Sequence, residues 1–147
     1  MTRKISGGCA CGEIRYECAR KPITMLLCHC RDCQRASGSA FVPVLIVPAM
    51  GFKITKGEPR WHLSERLLGG QNRRGFCGTC GSRLFGAGNE RIQGITATSL
   101  DDPSWFKPTI HIFTSHAQPW EFLDPALPKL KEHLPNPTGA AIKEKHP

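Results

Sequence analysis

Apolar and polar positions alternate in short runs along most of this chain, and the runs have the length of strands. At 13–18, Ile14, Tyr16 and Cys18 share one side, a period of two that predicts a strand with one buried face. The segments 24–28, 40–47, 52–55, 60–64, 73–77, 83–85, 91–98 and 109–113 read as further strands. Gly and Pro separate them at intervals of roughly 8–12 residues, the rhythm of an all-β meander or sandwich. Pro43, inside 40–47, suggests an edge strand or a bulge. Helix is scarce. A turn of helix is predicted at 31–36, and a short C-terminal helix at 127–134, started near Pro128 and stopped by Pro135. The remaining 135–147 is polar and proline-bearing with no apolar period, and reads as a frayed tail. The expected organisation is a single domain at 1–134 followed by that tail, which suits a chain of 147 residues.

Composition narrows the class. With 39% hydrophobic and 22% charged residues, the chain is neither disordered nor collagen-like. Its longest apolar run, 41–50, is broken by Pro43 and Pro48 and falls short of the ~20 residues a bilayer span needs. No membrane association is expected. Arg3 and Lys4 are not followed by an apolar stretch of signal-peptide type, so the expected location is cytoplasmic. Trp61, Trp105 and Trp120 are expected to pack in or against the core.

Cysteine changes the picture. Seven of the eight cysteines fall into three tight clusters: Cys9 with Cys11, Cys28 with Cys30 and Cys33, and Cys77 with Cys80. A disulfide framework suits an exported protein, and nothing here signals export. Closely spaced thiolates converge on one metal ion without long loop closure, so metal binding is the reading adopted. Gly7, Gly8 and Gly12 around the first pair, and Gly78 and Gly81 around the last, mark two knuckle turns. Two pairs make four ligands, which closes a tetrahedral site. The triple cluster leaves one position open, as catalytic sites do. The simplest partition puts Cys9, Cys11, Cys77 and Cys80 on one zinc and Cys28, Cys30 and Cys33 on another. A competing partition adds His29 or Cys18 to the second site. His29, set between two ligands, is expected to point away from their ion and to serve as a solvent-facing or hydrogen-bonding residue.

The formal charge of +8 is uneven. Residues 1–35 carry seven basic and three acidic residues, net +4; residues 53–91 carry eight and three, net +5; residues 101–147 are net −1. The basic excess sits in the cysteine-bearing segments and would attract an anion, either a small carboxylate ligand or nucleic acid. A solvated face that keeps the protein soluble is the plainer explanation.

Three stretches resemble a known family. They are the opening Gly7-Gly8-Cys9-Ala10-Cys11-Gly12-Glu13-Ile14-Arg15-Tyr16, the middle Cys28-His29-Cys30-Arg31-Asp32-Cys33-Gln34-Arg35-Ala36-Ser37-Gly38-Ser39-Ala40-Phe41, and the knuckle Phe76-Cys77-Gly78-Thr79-Cys80-Gly81-Ser82-Arg83-Leu84-Phe85. Leu100-Asp101-Asp102-Pro103 and Ile110-His111-Ile112 are similar to weaker landmarks. The family is the glutathione-dependent formaldehyde-activating enzymes, which includes a centromere-protein-V branch. The resemblance implies an all-β fold of coiled antiparallel sheets around zinc knuckles, like methionine sulfoxide reductase B, with little helix. It implies two zincs per chain. One is structural, on Cys9, Cys11, Cys77 and Cys80; the other is catalytic and labile, on Cys28, Cys30 and Cys33. It also implies glutathione as co-substrate.

The chemistry of three thiolates agrees. Zinc bound by them carries a net charge of −1, is a poor activator of water, and suits a fourth soft ligand. A coordinated thiol is deprotonated. The expected activity is therefore carbon–sulfur lyase or synthase chemistry on thiol–aldehyde adducts, of the S-(hydroxymethyl)glutathione type. Candidate contacts for the thiol's carboxylates are Arg31 and Arg35, with Arg73 and Arg74; Ser37, Gly38 and Ser39 would offer hydroxyl or backbone donors. The partners are a small-molecule thiol and an aldehyde, and a homo-oligomer is compatible with the sequence. The alternative is a non-catalytic zinc module for nucleic acid or protein partners. Nucleic acid is disfavoured because aromatic and basic residues do not interleave as a stacking platform. Methionine sulfoxide reduction would need a redox cysteine outside the clusters, and only Cys18 is left.

Overall fold

The computed structural model describes residues 3–65 and 71–134. The proposed tail at 135–147 lies outside the described residues. Among the described residues the fold is all-β with one short α-helix. A three-stranded antiparallel sheet has the order β1 (Ile5–Gly8), β2 (Arg15–Cys18), β5 (Phe52–Lys56). A seven-stranded sheet is built from β3 (Thr24–Cys28), β4 (Val42–Pro48), β6 (Arg60–Glu65), β7 (Gln71–Phe76), β8 (Arg83–Gly86), β9 (Ile92–Thr96) and β10 (Ile110–Ile112). Its order is β10-β3-β4-β9-β8-β7-β6, and it is antiparallel except where β10 runs parallel to β3. The helix α1 (Arg31–Ser37) follows β3 and ends at Gly38, whose φ of 70° is the left-handed cap that glycine supplies.

β4 sits near the middle and is buried on both faces. Leu45 and Val47 face the smaller sheet and join Ile5, Tyr16, Cys18, Phe85 and Ile95 in a first core. Val42, Val44 and Ile46 face the other way, into a second core with Leu26, Cys28, Cys33 and Ile112. A strand covered on both sides reads as an unbroken apolar run, as Val42–Pro48 does. It is therefore not the edge strand that Pro43 suggested. Pro43 pairs with Leu27 of β3, but the pairing with β9 begins only at Val44, so the proline sits where the strand has one neighbour.

Two other expectations change. Residues 127–134 form no helix. Their backbone lies beside β10 instead: His111 N–H donates to the Pro128 carbonyl, Leu130 N–H to that of His111, and Phe113 N–H to that of Glu132. Trp120 is 74% exposed, whereas Trp61 and Trp105 pack against the first core. The sequence also hides β1, whose Ile-Ser-Gly-Gly has little strand character. Gly7 is required there, because a Cβ on it would meet the Tyr16 hydroxyl and the Ser99 carbonyl at 2.3 Å. Asp101 anchors the same region by accepting hydrogen bonds from Arg15 (2.7 Å) and Ser6 (2.7 Å).

Candidate metal centres

Each cysteine pair sits in a tight turn. Cys9 N–H donates to the Ile14 carbonyl and Gly12 N–H to that of Cys9; Cys77 N–H donates to the Ser82 carbonyl and Gly81 N–H to that of Cys77. Gly12 (φ 79°) and Gly81 (φ 76°) adopt the left-handed conformation these turns need. The two turns face each other. Ser82 Oγ accepts from Ala10 N–H at 3.0 Å and lies 3.2 Å from Cys80 Sγ, and Thr79 Oγ1 donates to Glu13 at 2.6 Å. Four sulfurs, from Cys9, Cys11, Cys77 and Cys80, thereby lie within 4.8 Å of one another. Cys9 to Cys11 is 3.5 Å and Cys11 to Cys77 is 3.7 Å. Tetrahedral bonds of ~2.3 Å to zinc separate two sulfurs by ~3.8 Å, so the spacing fits such an ion. Ser82, through its side chain and then its backbone, holds the Cys80 thiol down at about 5, in the range of a ready anionic ligand.

The second cluster is built where β3 runs into α1. Cys28 closes the strand, Cys30 caps the helix by accepting from Cys33 N–H at 3.3 Å, and Cys33 lies in the first helical turn. Their sulfurs also lie within 4.8 Å of one another. Cys28 and Cys33 are buried in the second core and Cys30 is half-buried. The two clusters thus belong to opposite faces of the large sheet. The Cys28 and Cys30 thiols donate toward Cys33 and, with the nearby Arg83 charge, hold it at about 3; Cys28 is pushed up by Cys30 and Cys33. Three thiol donors at this spacing can hold a soft divalent metal.

Among the described residues, no fourth ligand from the chain joins them. His29 is fully buried and not solvent-facing, with both ring nitrogens engaged: Nδ1 lies 2.9 Å from Glu121 Oε2 and Nε2 lies 2.8 Å from His111 Nδ1. Its backbone N–H donates to Ile112, and its ring packs on Phe41. Cys18 is buried in the first core against the Arg20 backbone. The buried Gln34 fastens the loop further, donating to the His29 carbonyl (2.7 Å) and the His116 carbonyl (3.0 Å).

The candidate substrate contacts separate. Arg31 and Arg35 are exposed on α1. Ser37 Oγ donates to the Cys33 carbonyl and accepts from Ser39 N–H, and Gly38 N–H is spent on Gln34, so these donors chiefly end the helix. Arg73 stacks on Trp61 at 3.7 Å. Arg74 Nε is buried without a partner among the described residues. Arg83, which the spacing of the motifs did not single out, donates from Nη2 to Cys33 Sγ at 3.6 Å. Only the topology reveals it, as it does His111 and Glu121. A cleft lined by Glu13, Lys56, Arg60 and Thr79 lies beside the four-cysteine cluster, away from the three-cysteine one.

Comparison with known proteins follows the same lines. Residues 4–116 match the family model described as glutathione-dependent formaldehyde-activating enzyme. A Colletotrichum graminicola protein named "Putative glutathione-dependent formaldehyde-activating enzyme" is 29% identical over 121 residues, covering 71% of this chain and 61% of that protein. The chain therefore spans about three-fifths of the length of that curated relative. The crystal structure of a Rhodobacter sphaeroides protein superposes with a TM-score of 0.51 at 19% identity, over 65% of this chain and 87% of that one, a likeness of fold.

Proposed function

This chain belongs to the glutathione-dependent formaldehyde-activating enzyme family, and from that membership and the three-cysteine cluster we propose that it makes or breaks carbon–sulfur bonds in thiol–aldehyde adducts. Zinc is the metal proposed for both clusters, in a structural role at Cys9, Cys11, Cys77 and Cys80 and a catalytic one at Cys28, Cys30 and Cys33. The observation that carries the reading is the count of donors. Three sulfurs converge, while His29 and Cys18, the other candidates, are committed elsewhere. A zinc ion held there supplies a position for one more soft ligand and keeps a bound thiol deprotonated.

The chain's own residues do the rest. Cys30, the half-buried member, marks the side from which solvent and substrate reach the cluster. Gln34, His29, His111 and Glu121 hold the Cys28–Cys33 loop to β10 and the segment after it, so the ligands keep their spacing. The reaction itself conserves electrons. The thiolate sulfur adds to the aldehyde carbon, the carbonyl pair moves to oxygen, and that oxygen takes a proton; breakdown runs the same steps in reverse. Glutathione fits the thiol and formaldehyde the aldehyde, in keeping with the family description.

The test is the rate of adduct formation from glutathione and formaldehyde, followed by exchange NMR with zinc-loaded protein. Acceleration over the spontaneous rate is expected, and Cys30→Ser protein should lack it while remaining folded. A panel of thiols and aldehydes that shows no acceleration would refute the proposal.

A further inference from the structure

Arg83 is placed by an irregularity in the sheet. β7 pairs with β8 through Gly75 opposite Phe85 and Phe76 opposite Arg83, so one extra residue, Leu84, is inserted into β8. Such a bulge re-aims side chains. Leu84 and Phe85 both enter the first core, while Arg83 is turned to the other face and reaches Cys33 in the second. Gly86 keeps that space open, since a Cβ there would come within 3.2 Å of Arg83 Nη2. By the β7–β8 register, Arg74 lies on the same face as Arg83.

The guanidinium is only partly used. Nη2 bonds Cys33, but Nε and Nη1 are buried and have no partner among the described residues. Neither Arg83 nor Arg74 forms an ion pair there. Arg83 as a whole is half-buried, but buried N–H groups are costly unless something accepts from them, and the planar fork of a guanidinium matches a carboxylate. Because one of its nitrogens already touches a sulfur of the cluster, a sulfur arriving there lies within one short side chain of these donors.

We propose that Arg83 is the anion subsite of the three-cysteine centre and holds the carboxylate of a thiol bound there, so that thiols bearing a carboxylate are preferred to their neutral counterparts. This rests on the reading that the centre takes a thiol at all. Arg83 then binds the carboxylate and orients the thiol, and the charge of the guanidinium offsets that of the thiolates.

The test compares 3-mercaptopropionate with its neutral amide, titrated calorimetrically into zinc-loaded protein. Wild-type protein should bind the acid about 30-fold or more tightly than the amide, the scale of a buried charge-assisted contact. Arg83→Met should bring the two to near parity with zinc per chain unchanged, and Arg83→Lys should keep part of the preference. Equal binding of acid and amide by wild-type protein would overturn the subsite and leave the thiol site standing, whether or not the Met variant folds. So would a Met variant that keeps its zinc and the full preference for the acid. Binding of neither thiol by wild-type protein would overturn the thiol reading itself, and the subsite with it.

Discussion

A histidine between two clustered cysteines can face their cluster or turn its back. His29 turns away, toward Glu121 and His111. His29 Nδ1 lies 2.9 Å from Glu121 Oε2 and its Nε2 lies 2.8 Å from His111 Nδ1, while His111 Nε2 is buried without a partner among the described residues. Protonating His111 would strand a buried charge. Burial first, and then the neighbouring charges of His29 and Lys129, hold His111 below its ordinary value near 6.5, with Glu121 and Asp124 opposing. The unfolded chain therefore binds this proton at a higher pH than the folded one. Stability should be intact above pH 6.5 and fall as the pH drops from there toward the depressed folded value. Denaturant titrations at several pH values should show that slope in wild-type protein and a shallower one in His111→Asn; identical slopes would contradict the assignment. The cysteines were legible in the sequence because their spacing is local. His111, Glu121 and Arg83 were not, because each acts on a partner more than 45 residues away, at separations of 82, 92 and 50.

At the scale of elements, period-two alternation located most strands, since each has one face or both against a core. It failed where the backbone alone decides. β1 is a strand because Tyr16 and Ser99 leave no room above Gly7, and residues 127–134 run as irregular backbone beside β10 because β10 offers its edge groups to them. The parallel pairing of β10 with β3 brings His111 to His29, and no local pattern announces it. The β7–β8 bulge has a structural consequence besides aiming Arg83, for it sends Phe85 into the first core. Phe85 is fully buried, edge-on to Tyr16 and Phe52 with ring centroids 5.3 Å away in each case, and stacked on Trp61 at 5.8 Å. Phe85→Ala should cost about 3–5 kcal/mol. The check is the shift in urea midpoint of zinc-saturated protein, where a loss under about 1 kcal/mol would show that this core collapses around the gap.

At the scale of the molecule, the large sheet separates two thiol clusters of different character. One joins two distant turns, residues 9–11 and 77–80, and rests on the first core; the other sits on the loop after β3 and rests on the second. The all-β class, the little helix and both clusters could be read from the sequence. That they lie on opposite faces could not, because β4 had to be recognised as a strand buried on both sides. Exposure and coordination pull in opposite directions here. Cys11 and Cys80 are exposed, which favours chelator access to the four-cysteine site, whereas Cys28 and Cys33 are buried. The number of bonds to be broken should decide, since closed structural zinc sites carry apparent binding free energies of ~10–16 kcal/mol in zinc-finger peptides. The most direct test of the division into a closed and an open centre is zinc per chain, read together with circular dichroism, before and after dilute chelator. The account predicts two zincs in the loaded protein, loss of one with the β-sheet spectrum unchanged, and no such labile zinc in Cys30→Ser. Departure of both zincs together with collapse of the spectrum would contradict it.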